Sequence, residues 1–153
     1  MKLQLSFLFL ILTFISYSQI SQSEIESKVY EKIKTHKKKL SNYKELSLDT
    51  TMSNSCRKHS KYMCVNNDLV HITSFDGIKG KSEIIQVATC YDSDVDKLAT
   101  KILNNFLNSP SHKKNIEESS TLIGVGIHIK TIKTVFGDEV IISQEVWVTI
   151  RFF

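Results

Sequence analysis

Two alternating runs near the C-terminus restrict this 153-residue chain more than anything else in it. Ile123, Val125, Ile127 and Ile129 alternate with Gly124, Gly126, His128 and Lys130. Val146, Val148, Ile150 and Phe152 alternate in the same way with Glu145, Trp147, Thr149 and Arg151. A period of two puts each set on one face of an extended strand, and Gly137-Asp138 between the runs supplies a turn. The expectation is an antiparallel hairpin with at least one face in the core.

The preceding segments carry a helical period instead. Ile25, Val29, Ile33 and Leu40 form a stripe that predicts a helix over 24–40, with Ser23 and Glu26 at capping-box spacing. Its basic end, Lys34, His36, Lys37, Lys38 and Lys39, suits the helix dipole and reads as a solvated face. Leu48, Met52, Cys56, His59 and Met63 define the buried face of a second helix over 49–65, ended by Asn66, Asn67 and Asp68. Val95, Leu98, Ile102 and Phe106 mark a third over 95–108, which must stop before Pro110. Residues 82–87 read as a further strand. Helices first and an antiparallel sheet last give an α+β domain of packed layers.

The N-terminus predicts export. Lys2 precedes an apolar run from Leu3 to Ile15, and Ser16 and Ser18 stand at the small positions of a cut before Gln19. Residues 1–18 are therefore read as a signal peptide and 19–153 as one domain, secreted or periplasmic, with no transmembrane anchor once the leader is removed. The apolar run is shorter than the roughly 20 residues that span a bilayer. Removing Lys2 lowers a formal net charge of only +4 by one, too mild a balance to imply nucleic acid. Of three cysteines, Cys56 and Cys64 lie on one helix, about 12 Å apart by its rise. Disulfide reach is about 7 Å, so a bridge would have to use Cys90, preferably with Cys64, and free thiols remain the alternative.

Glu83 and His112 stand out chemically, whereas nothing local separates His71 from the other histidines. Glu83 shares a strand face with Ile85 and Val87, so its carboxylate must be paired, protonated or bound to a cation. In Ser109-Pro110-Ser111-His112, serine suits an N-cap and proline the first helical position. His112 then falls in a first turn, where the neutral imidazole needed by a metal ligand or general base is favoured. His71 follows the second helix. His36 and His128 read as surface residues and His59 as a core-edge residue.

The order of these segments resembles the CAP superfamily, or SCP domain, of cysteine-rich secretory, antigen 5 and pathogenesis-related proteins. The likeness runs through Leu48, Asp49, Cys56, His59, Ser60, Met63 and His71. It continues in Ser82-Glu83-Ile84-Ile85, similar to the family's Gly-Glu-Asn-Ile, and in Phe106 to Ile116, similar to Trp-x-x-Ser-Pro-Gly-His-Arg-x-Asn-Ile of short prokaryotic members. It ends with Ile123-Gly124-Val125-Gly126 and the closing strand from Gln144 to Trp147. Asn is lost after Glu83, Phe106 stands for Trp, and Ser111 for Gly. The resemblance implies a three-layer α-β-α sandwich with a central antiparallel sheet and a cleft where His71, Glu83 and His112 meet. Zinc or another divalent cation is the implied cofactor, and a small molecule, lipid or cell-surface component the implied partner. The reading is a binding module. The alternative is a metal-assisted extracellular hydrolase using Glu83 as base.

Overall fold

The computed structural model describes residues 20–72 and 74–153; the expected leader lies outside the described residues. Strands β5 (Leu122–Phe136) and β6 (Glu139–Phe152) form the long hairpin the alternation predicts. Their register runs unbroken from Ile123 opposite Phe152 to Phe136 opposite Glu139. Gly137 closes the turn at φ +59°, a conformation that costs glycine little. β4 (Ser82–Cys90) pairs antiparallel with β6, three residues longer than the sequence pattern suggests. β1 (Ser47–Leu48) lies on the other side of β5, giving the order β1-β5-β6-β4. β1 runs parallel to β5, so the sheet is mixed rather than wholly antiparallel. The departure is local: the Ser47 and Asp49 amides bond the Thr121 and Ile123 carbonyls just before the chain enters a helix.

That helix is α2 (Thr50–Asn66), capped by Asp49, whose carboxylate accepts the Met52 amide at 2.7 Å. It ends at Asn67, which takes the left-handed conformation at φ 50°. The other helices are α1 (Gln22–Lys37), α3 (Val95–Leu107) and α4 (Pro110–Glu117). A small hairpin of β2 (Ser74–Phe75) and β3 (Ile78–Lys79) follows α2.

Strand alternation sorts the helices between the sheet faces. Ile84, Val125, Ile127, Val148 and Ile150 point one way, into a core shared with Ile25, Val29 and Ile33 of α1 and Leu98, Ile102 and Phe106 of α3. Each such aliphatic residue contributes about 1.5–3 kcal/mol on burial. Ile85 and Trp147 point the other way and pack against Met63 and Cys64 of α2. The β6 segment from Val146 to Phe152 is thus buried on both faces, and Arg151 is buried with it. The approach of α2 is possible because β5 carries Gly124 and Gly126. A Cβ on Gly126 would lie 2.1 Å from the Arg57 nitrogen, and one on Gly124 2.7 Å from Met52 Cγ.

Several sequence expectations change. Glu26 does not form a capping box: α1 begins at Gln22 after Ser21, and Glu26 is buried. Its carboxylate pairs with Arg57 and accepts the outward amide of Ile127 at 3.1 Å. Lys37 is not part of a solvated face. It is 2% exposed, and its ammonium donates to the carbonyls of Ile116 and Glu118 at the end of α4. His36 bonds Glu117 rather than standing alone at the surface. Leu48 is exposed, not part of the α2 core face. All three thiols are free, because Cys90 belongs to the core shared with α1 and α3 and Cys64 to the cluster on the opposite face of the sheet.

Candidate functional site

Glu83 lies near the start of β4, on the α2 side of the sheet, directly opposite Arg151 in the register. Both are held inside, and their side chains meet. Arg151 Nε and Nη2 each lie 2.7 Å from Glu83 Oε2. The same guanidinium donates to Ser55 Oγ at 2.9 Å and to the Ile72 and Ile78 carbonyls at 3.2 and 3.4 Å. Arg151 thus ties α2, the segment carrying His71 and the small β2–β3 hairpin to one point. Gly80 lets the chain pass over its stem, since a Cβ there would come 3.2 Å from Arg151 Cβ.

His59, wholly buried on α2, places Nδ1 3.2 Å from Glu83 Oε2. The second carboxylate oxygen serves the loop: Oε1 lies 3.2 Å from His71 Nδ1 and accepts the Ile72 amide at 3.2 Å. Burial alone raises the Glu83 carboxyl. The hydrogen bonds from His59 and Arg151 outweigh it and hold the group below the usual carboxylate range.

His112 arrives from the far side of the cleft. Ser109 precedes Pro110, the first residue of α4, and His112 is two residues further on in the first turn. Buried Phe106, at the end of α3, meets the His112 ring edge to face, with centroids 5.4 Å apart and planes at 88°. The His71 and His112 centroids lie 6.4 Å apart. Burial first, then electrostatic repulsion from His71, lowers the His112 pKa from its ordinary 6.5 and so favours the neutral imidazole. A cavity of about 330 Å³ opens beside His71, with Lys79, Lys81 and Arg151 also in its wall.

The structure therefore brings His71, Glu83 and His112 into one neighbourhood, but in unequal roles. Glu83 has both oxygens engaged, and a cation beside it would face the Arg151 guanidinium. Among the described residues, no cluster of three or more His, Cys, Asp or Glu side chains is arranged to hold a metal ion. The two imidazoles are better placed. At zinc–nitrogen distances of about 2.0–2.1 Å, two imidazoles on one tetrahedral ion have centroids roughly 5 Å apart, so His71 and His112, at 6.4 Å, would have to close by about 1 Å to share one. With Nδ1–H of His71 turned to Glu83, Nε2 keeps its lone pair for a ligand.

His59 and Arg151 are the site residues that sequence reasoning missed. Arg151 was within reach: aligning 82–87 antiparallel to the last strand sets Glu83 opposite it, a cross-strand pair of opposite charge. His59 lay on the predicted buried face of α2, where a polar ring needs a partner.

The comparisons with known proteins agree with this architecture. Residues 38–147 match the model of the cysteine-rich secretory protein family, CAP. Among solved structures, an outer surface protein from Borrelia burgdorferi superposes with a TM-score of 0.55 at 17% sequence identity, over 87% of this chain and 95% of that one. No curated protein matches the sequence. With the matched segment spanning α2, the Glu83 strand, the Ser-Pro-x-His turn and the Gly-x-Gly strand, the chain belongs to the CAP family of cysteine-rich secretory proteins.

Proposed function

We propose that this is an exported CAP-domain binding module whose cleft takes a divalent cation, of the zinc class, or a small or lipidic ligand between His71 and His112. The observation that carries the reading is the pair of imidazoles brought together with ring centroids 6.4 Å apart. In it Glu83 is a positioning group: its carboxylate orients His71 by a 3.2 Å contact and is itself fixed by Arg151. Such a carboxylate–histidine pair raises the basicity of the free nitrogen. A bound cation would polarise a ligand oxygen; this chain's own residues orient the two nitrogens, and Phe106 restricts the His112 ring. The cavity of about 330 Å³ beside His71 is of a size to receive a small ligand.

Export rests on the leader-like N-terminus. Among the described residues no helix is long and apolar enough to cross a membrane, and the similar Borrelia protein is described as an outer surface protein. A hydrolase with Glu83 as base has less support, because that carboxylate is held below the usual range and both its oxygens are engaged.

Zinc titration by calorimetry tests the proposal. The expected result is one site per chain, lost in His71→Ala/His112→Ala and weakened about 10–100-fold, but not abolished, in Glu83→Gln. Unchanged affinity in the double variant would end the metal reading.

A further inference from the structure

The outer end of the β5–β6 hairpin is open: residues 131–141 are exposed but for Ile132 and Thr134, which are half-buried. β4 leaves β6 at Gln144, and β1 touches β5 only at Leu122 and Ile123. Beyond these points residues 131–136 and 139–143 form a two-stranded ribbon, a structure marginally stable by itself in water. It nevertheless carries Val135, Phe136, Val140 and Ile141, between 42% and 63% exposed. The backbone of β5 is also open along one edge. The outward amides of Val125 and Ile127 are taken by Ser53 Oγ and Glu26 Oε1. Because the register continues without a bulge, Ile129, Thr131, Lys133 and Val135 present their amides and carbonyls on that same side. Among the described residues, no other strand pairs with them there. Such an edge is a template for another strand.

We infer that the occupant is a second copy of this chain, pairing β5 to β5 antiparallel about a two-fold axis through Thr134. Charge and the closed inner edge favour this register over those that lie deeper along β5. It sets Lys130 of one copy against Asp138 of the other at both ends, Ile132 against Phe136, and Lys133 against Val135. A slip that centres the axis on Lys133 puts two ammonium groups face to face, a destabilising cross-strand pair. A slip centred on Ile132 drives the tip onto His128 and Ile127, where Glu26 already closes the edge. In the Thr134 register Thr134 faces itself in a non-hydrogen-bonded pair, the closer of the two antiparallel spacings.

Sedimentation velocity of the mature protein over a hundredfold concentration range, with cysteine cross-linking, tests the inference. The expected result is a monomer–dimer equilibrium in which Lys133→Pro lowers dimer affinity at least tenfold. That change removes an outward amide and leaves the ladder to β6 intact. Reversal at Asp138→Lys is expected to weaken the dimer, and Lys130→Glu/Asp138→Lys to restore it. Under mild oxidation Thr134→Cys is expected to give a covalent dimer and Ile132→Cys not. A monomer at every concentration would overturn the inference. So would a dimer indifferent to Lys133→Pro, or a hairpin tip that associates with phospholipid vesicles while the protein stays monomeric.

Discussion

Replacing Arg151 with Met keeps the length of the stem and removes the charge that organises the cleft. Arg151 is wholly buried, and Glu83 is nearly so. The change takes a hydrogen bond and an ion-pair contact, both at 2.7 Å, from the carboxylate and strips donors from Ser55, Ile72 and Ile78. Removing one member of a buried ion pair costs about 3–5 kcal/mol. Domains of this size hold roughly 5–15 kcal/mol, so the variant is expected to fold with much of its margin gone. The pH dependence identifies the cause. In the native protein the Glu83 carboxyl lies below its unfolded value of about 4.3. Its contribution is therefore present above that value and lost as pH falls through the lower, folded one. Without Arg151 two of the effects that lower the carboxyl are lost while burial and the His59 bond remain, so the folded value rises and protonation of Glu83 costs the variant less than it costs the native protein. The deficit should narrow between pH 7 and pH 4.5, and Glu83→Gln should recover part of it in the Arg151→Met background. Urea unfolding followed by the fluorescence of Trp147, the single tryptophan and a buried one, measures both quantities. A cost under about 1 kcal/mol at pH 7, or a deficit that widens on acidification, would refute the reasoning.

Gly126→Ala should destabilise the protein by about 3 kcal/mol or more, since its methyl would meet the α2 backbone, and a thermal melt shift of only a degree or two would contradict the close packing. Lys37→Met should leave the Ile116 and Glu118 carbonyls without their donor, at about 1–3 kcal/mol, with faster amide exchange concentrated in α4. NMR titration should find His112 with a midpoint below 6.5, moving upward in His71→Gln, which removes the neighbouring charge. Because that folded pKa is lowered, His112 costs stability as pH falls below 6.5, and a midpoint above 6.5 would contradict its placement.

The readable part of this fold was its periodicity. The hairpin, the three longer helices and the turn at Ser109-Pro110 follow from patterns of two, of 3.6 and from backbone chemistry, each encoded locally. What was not readable depended on pairing across distance. Glu26 and Lys37 look like ordinary solvated helix residues in one dimension. Their burial arises because one meets an open strand edge and the other the end of a helix about 80 positions away. The mixed character of the sheet hangs on a two-residue strand with no pattern of its own. In the cleft, Glu83 announced itself as a carboxylate on an apolar strand face, whereas His71 and His112 were singled out by the family resemblance and not by their local surroundings. That Glu83 pairs with Arg151 was hidden by the strand register, and on that pairing rests the proposal that its role is to support His71 rather than to hold the ion itself.

X-ray absorption at the zinc edge of the loaded mature protein probes that role most directly. The expected spectrum has two imidazole nitrogens as the only protein donors, with the rest of the shell made of solvent oxygen, and it keeps this form in Glu83→Gln. A spectrum with thiolate sulfur, with a single imidazole, or with an oxygen donor that disappears on changing Glu83 would contradict the account.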